Sequence, residues 1–171
     1  MNKFNLNFKE FQNIELQTLF DIISNNGKLL REVTLNDFIF ENNNEIYPGK
    51  GCYFFILNNQ IVYVGKCSSR TFISRIPGHL GTYENDWFNT LVKHKNLPNT
   101  PIIDSNMTLQ QKSKICLNNF KLVLLNFDND NTEKINKFEN ICRKNIASEY
   151  LINKAGKDRF KLTKKIINEL F

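Results

Sequence analysis

Apolar residues recur at Phe8, Phe11, Leu16, Leu19, Phe20 and Ile23, a helical period that predicts an N-terminal helix over residues 8–25 with Gly27 as its stop. The mixed stretch from Lys28 to Gly51 carries one short element and a loop, punctuated by Pro48-Gly49. Residues 51–65, "GCYFFILNNQIVYVG", set two apolar runs around a short polar turn and predict a β-hairpin. "TLQQKSKICLNN" opens on Thr108 with Gln111 three positions on, a capping box ahead of a helix. "FKLVLLNF" (120–127) is a continuous apolar run with the length of a buried strand. Residues 131–153 form a long helical stretch with Asn131 or Thr132 as N-cap, and "DRFKLTKKIINELF" closes the chain as an amphipathic helix. The Trp87, Phe88 and Leu91 group reads as core helix.

The order of elements predicts an α+β fold: a small, mainly antiparallel three-stranded sheet, made of the hairpin plus one strand, flanked by helices and extended by N- and C-terminal helices. No repeat or linker divides the chain, so we expect one domain: an N-terminal helical extension over 1–45, a core over 46–153 and a C-terminal helix over 154–171.

Register decides what the hairpin can present. Strand side chains alternate faces, so a regular two-residue turn at Asn58-Asn59 pairs Tyr63 with Phe54 and sends Tyr53 to the other face. An odd loop, 58–60, pairs Tyr63 with Phe55 and brings both tyrosines to one side. If the two tyrosines serve one site, the hairpin needs that odd loop, with Asn59 or Gln60 at positive φ, or else a β-bulge.

Composition narrows the class. The chain has 171 residues, 41% hydrophobic and 23% charged, enough for one real core. No apolar run approaches the roughly 18 residues of a membrane span, and the polar N-terminus does not resemble a secretory signal, so an intracellular protein without a membrane partner is expected. The four cysteines are scattered, with no CxxC pair, and read as free thiols. A net charge of +6 suits a polyanionic partner.

Past the hairpin runs "KCSSRTFISRIPGHLG", in which Phe72, Arg75 and His79 stand at i, i+3 and i+7 and would share a helical face; Pro77-Gly78 limits that helix to about one turn. The succession "GCY", "YVG", "FISR" and "RIPGH" resembles the GIY-YIG nuclease superfamily, which includes homing endonucleases, an excision-repair nuclease subunit and some type II restriction endonucleases. The resemblance spans roughly residues 51–153. Cys52 stands where isoleucine is usual, and the Tyr63-to-Arg75 loop is slightly longer than the commonest spacing.

The resemblance implies a metal-dependent DNA endonuclease. It implies a glutamate, on a helix after the third strand, that holds Mg²⁺ (or Mn²⁺). Glu139 and Glu149 are both available; Glu139 is favoured because its interval from the strand is similar to that in the homing endonucleases. It also makes Tyr53 the water-activating group, with Tyr63 positioning water or phosphate and His79 hydrogen-bonding to a tyrosine or the phosphate. Asn153 is the nearest match to a buttressing asparagine. The residue types suit the chemistry: a guanidinium at Arg75 offers forked donors to phosphate, and a phenol acts as a base only if neighbours take up its proton. Lys66, Arg70 and Asn153 are weaker candidates for DNA contact, as are the basic stretches 92–96 and 157–165.

Taken singly, each of these residues has a bland reading: strand packing for the tyrosines, a surface arginine, a loop histidine, solvated salt bridges for the glutamates. Their joint order points to chemistry. The size fits a stand-alone, type II restriction-like enzyme better than a repair subunit. The competing reading is a catalytically inactive GIY-YIG-fold module that binds nucleic acid; a third is an interaction protein with chance motif matches. A homodimer would suit palindromic double-strand cleavage, although nothing in the residues demands it.

Overall fold

A computed structural model of the chain describes residues 4–42, 45–83, 91, 106–128, 132–146, 151–153 and 162–171. Trp87, Phe88, Glu149, the stretch 92–96 and most of 157–165 lie outside them. Seven strands are described: β1 (Asn5–Asn7), β2 (Lys28–Leu29), β3 (Ile39–Asn42), β4 (Glu45–Pro48), β5 (Gly51–Leu57), β6 (Gln60–Cys67) and β7 (Lys121–Asn126). The described α-helices are α1 (Leu16–Asn25), α2 (Phe72–Arg75), α3 (Leu109–Asn119) and α4 (Thr132–Asn145).

The main sheet corrects the expected three-stranded antiparallel arrangement. It has five strands and is mixed, ordered β1-β7-β5-β6 with β2 also on β7, and a separate ribbon pairs β3 with β4. β5 runs antiparallel to both β6 and β7, as the hairpin-plus-strand reading requires. The far side of β7 is occupied too. β1 pairs there in parallel, Asn5 opposite Leu124, and β2 pairs antiparallel, Lys28 opposite Leu122. Segments of two or three residues are too short to show a two-residue period, so they left no signal in the apolar pattern. β7 did show its consequence: a strand covered on both faces and paired on both edges reads as an unbroken apolar run.

The sheet is the middle of three layers. Cys52, Phe54, Ile56, Val64, Val123 and Leu125 face α1 and α4, meeting Leu19, Ile23, Ile135 and Phe138. Tyr53, Phe55, Tyr63, Leu122 and Leu124 face the other way, onto Phe38, Phe72, Ile76, Cys116 and Phe120. Each fully buried large side chain contributes about 1.5–3 kcal/mol, so both layers are needed to hold so small a sheet. All four cysteines are free and buried in these layers.

Three helix expectations are adjusted. Phe8–Phe11 forms a 3₁₀ turn, and the N-terminal helix starts at Leu16. The helix expected over 131–153 ends at Asn145, and residues 151–153 turn back toward β6. The described part of the C-terminal segment is not an α-helix; only Ile167–Leu170 winds, as a 3₁₀ turn. Its carbonyls are used elsewhere. Glu15 gives α1 no side-chain cap, and the backbone oxygens of Lys165 and Thr163 instead accept from Leu16 N and Gln17 N at 3.0 and 2.9 Å. α3 begins as expected, with Thr108 and Gln111 closing a reciprocal capping box.

The hairpin turn is a two-residue one, with Asn58 and Asn59 at φ 50° and 58°, the type I′ geometry whose twist matches the flanking strands. Left regular, it would separate the tyrosines. The register breaks between Phe55 and Ile56: Phe55 pairs Tyr63 while Ile56 pairs Ile61, so Val62 is a bulge residue and Tyr63 moves to the face of Tyr53. Because Asn59 is held in the left-handed region, replacing it with valine should lower stability by about 1–2 kcal/mol, while Asn59→Gly should be neutral or slightly stabilising; urea unfolding of the two variants checks the pair.

Candidate functional site

Two glycines explain how the hairpin takes its shape. Gly51 sits at φ 150°, and a Cβ there would strike the backbone oxygen of Leu125 on β7. Gly65 lies directly opposite Tyr53, and a Cβ on it would enter the Tyr53 ring. The "GCY" and "YVG" glycines are therefore steric conditions for β5 to lie against β7 and for Tyr53 to lie across β6.

Four of the expected residues meet on that face. The Tyr53 hydroxyl and His79 Nε2 are 2.6 Å apart, both residues being 0% exposed. The Tyr63 ring centroid is 6.0 Å from Tyr53 and 4.9 Å from His79, and Tyr63 is 7% exposed, the outer member of the group. His79 arrives because α2 lasts a single turn and Pro77 continues it as a 3₁₀ turn through Leu80. Arg75, half-buried at the end of α2, hydrogen-bonds to Tyr53 and acts electrostatically on Tyr63 and His79.

The electrostatics follow from dryness and one fixed cation. Burial first and the Arg75 charge second pull His79 down to about 3, so the imidazole is neutral at working pH. Burial raises Tyr53 well above the ordinary phenol value, with Tyr63 and Cys67 adding to the rise and Arg75 opposing it. Burial also raises Tyr63; its hydrogen bond with Tyr53 and the Arg75 charge pull it back, while Glu139 pushes it up. Tyr63, Tyr53 and His79 thus form a chain of coupled proton-bearing groups.

Glu139 comes from the opposite layer. It is buried on α4, and its two carboxylate oxygens meet different cations: Oε1 is 3.3 Å from Arg143 and Oε2 is 3.8 Å from Lys66 on β6. Arg143 was missed by sequence reasoning, although its i+4 spacing from Glu139 was visible. Its Nε donates to the Asn153 backbone oxygen at 2.8 Å. The Asn153 side chain in turn clasps the outer edge of β6, donating to Val64 O at 2.5 Å and accepting from Val64 N at 3.2 Å. Its amide is committed to backbone rather than offered to DNA. Arg70 joins Lys66, Ser68, Ser69 and Arg75 around a pocket of about 80 Å³ at the end of β6. A second polar cluster had no sequence signal: Asp128, at φ 42°, accepts from Asn7, Tyr47 and Asn126 and ties β1, β4 and β7 together at one end of the sheet.

Among the described residues, no group of three or more His, Cys, Asp or Glu gathers as a metal site. Among the described residues, Glu139 is the carboxylate that stands between Lys66 and Arg143 at this edge. That donor set fits an ion of the Mg²⁺ kind, which keeps most of its water and takes one or two carboxylates plus substrate phosphate, and does not fit an all-protein cage. No helix among the described residues is long and apolar enough to cross a membrane. No protein-family model, curated protein or solved structure matches the chain.

Two outcomes follow from this geometry. Gly65→Ala forces the Tyr53 ring aside and should cost about 1–3 kcal/mol by overpacking, read by thermal unfolding, with His79 losing its 2.6 Å partner. His79 titrates near 3 when folded and near 6.5 when unfolded. Between those values the unfolded chain binds more protons, so the stability from this group is whole above pH 6.5 and falls as pH drops, by up to about 1.4 kcal/mol per unit. Denaturant titrations at pH 7, 6 and 5 should show His79→Gln losing that part of the slope.

Proposed function

We propose that the chain is a GIY-YIG-type, metal-dependent DNA endonuclease of the type II restriction-like kind. The observation that carries the reading is the convergence of Tyr53, Tyr63, Arg75 and His79 on one face, closed by the 2.6 Å contact of Tyr53 with His79. Packing alone does not ask for a histidine and two phenols beside a guanidinium in a dry interior, since each polar group costs free energy when desolvated.

In this reading Arg75 forks onto the oxygens of the scissile phosphate and stays charged throughout. The resemblance gives water activation to Tyr53, yet Tyr53 is fully buried, so Tyr63 faces the attacking water and Tyr53 stands behind it. The water proton passes to the Tyr63 oxygen, the Tyr63 proton to the Tyr53 oxygen, and the Tyr53 proton to His79 Nε2. Hydroxide attacks phosphorus, the P–O bond to the leaving sugar oxygen breaks, that oxygen takes a proton from solvent, and the proton on His79 returns through Tyr53 and Tyr63 to solvent. Negative charge gathering on the phosphate raises the basicity of His79 at the moment it is needed. Glu139 would hold the Mg²⁺ or Mn²⁺, whose chemistry is Lewis-acid neutralisation of the phosphate and the leaving oxygen. DNA as partner agrees with the net charge of +6 and the cationic pocket beside Arg75.

One observation favours the other reading, a binding module of this fold without catalysis: both Glu139 oxygens already face cations. Plasmid nicking separates the two. With Mg²⁺ the wild type should nick or linearise DNA, and Arg75→Ala and Glu139→Ala should each slow cleavage by about 10²–10³-fold. Metal-dependent cleavage that survives both substitutions sinks the assignment; plasmid bound but never cut establishes the binding module.

A further inference from the structure

Lys66 belongs to two places at once. Its ammonium stands 3.8 Å from Glu139 Oε2, and the same side chain lines the pocket of Ser68, Ser69, Arg70 and Arg75. Three cations and two hydroxyl side chains, with Cys67, line about 80 Å³, a charge and size that suit a single phosphate group. The other cation on Glu139 is fastened by a second contact. Arg143 is anchored through Nε to Asn153, which is itself clasped to Val64. Lys66 is also the more exposed of the two, 40% against 28% for Arg143, and its contact with the carboxylate is the longer.

We infer that Lys66 is an exchangeable counterion. In the free protein it neutralises Glu139 and opposes a divalent cation there; when a DNA phosphate enters the pocket, the ammonium moves onto it and Glu139 is released to the metal. This rests on the nuclease reading and adds to it a coupling between phosphate and metal. By linkage the coupling is reciprocal: metal on Glu139 frees Lys66 for phosphate, and phosphate on Lys66 frees Glu139 for metal. Arg143 stays on the carboxylate in both states and is a positioning residue, holding Glu139 to the strand that carries Tyr63.

The test pairs two measurements whose changes have opposite signs. Mn²⁺ affinity of the free protein is read by titration calorimetry, and plasmid cleavage is read with Mg²⁺, for wild type, Lys66→Gln and Lys66→Arg. Removing the competing charge should tighten Mn²⁺ binding by about two- to fivefold, the size of an exposed ion pair, while cleavage falls by about tenfold or more. Lys66→Arg should return both values toward wild type, and equal melting temperatures confirm that all three fold. Unchanged Mn²⁺ affinity in Lys66→Gln, or unchanged cleavage, overturns the exchange while leaving a cleaving wild type as a nuclease. A wild type that neither binds Mn²⁺ nor cuts DNA overturns both readings.

Discussion

β6 contains one residue more than its ladder with β5 requires, and the candidate site depends on that residue. Without the bulge at Val62, the two-residue turn would set Tyr63 among the aliphatic side chains facing α1 and α4. With it, Tyr63 lies beside Tyr53, and Lys66 faces the layer from which Glu139 comes. The extra residue leaves backbone groups without ladder partners, which is the usual cost of a bulge. Here the Val62 oxygen accepts from Ile152 N at 2.7 Å, so the segment after α4 completes what the partner strand cannot.

The same edge carries the link between the layers. A sheet edge is a row of unpaired donors and acceptors. On β6 it is covered by Ile152 and the Asn153 amide, whose donor and acceptor match one peptide unit of a strand. The Asn153 carbonyl holds Arg143, and Arg143 holds Glu139. The carboxylate on the far layer is thereby indexed to Val64, the neighbour of Tyr63. Tyr53 and His79 are locked by packing and a short hydrogen bond, and Glu139 by this relay of polar contacts.

Much of the hairpin was legible because its logic is local. Face alternation required a bulge or an odd loop if the two tyrosines were to share a site, and Pro77 forecast the one-turn helix that delivers His79. The capping box at Thr108 and the buried run of β7 were equally plain. What escaped is non-local. β1 and β2 are too short to carry a period and exist only because β7 offers an edge. The C-terminal segment has a helical pattern, but its carbonyls serve the uncapped start of α1, so tertiary hydrogen bonds override propensity. At the site, the residue types were readable from the sequence and their depth was not. Nothing in "GCY" distinguishes an inner tyrosine from an outer one, and that distinction places Tyr63 nearer the surface than Tyr53.

Under the proposed reading, depth also bears on why two phenols and an imidazole stand together here. A lone buried phenol is a poor base, since burial makes its anion costlier. Coupling it to a second phenol and then to a neutral histidine means that no single group must carry the full charge alone. Arg75 makes the arrangement selective: its charge stabilises phenolate at Tyr53 and Tyr63 and disfavours protonated His79. Burial and Arg75 together keep His79 neutral, and in the proposed reading an anion that offsets Arg75 would make it a better proton acceptor. In the proposed nuclease, the cation that would bind phosphate is the cation that disfavours a protonated His79, so activation of water would be tied to the presence of substrate through electrostatics, with no moving lid required.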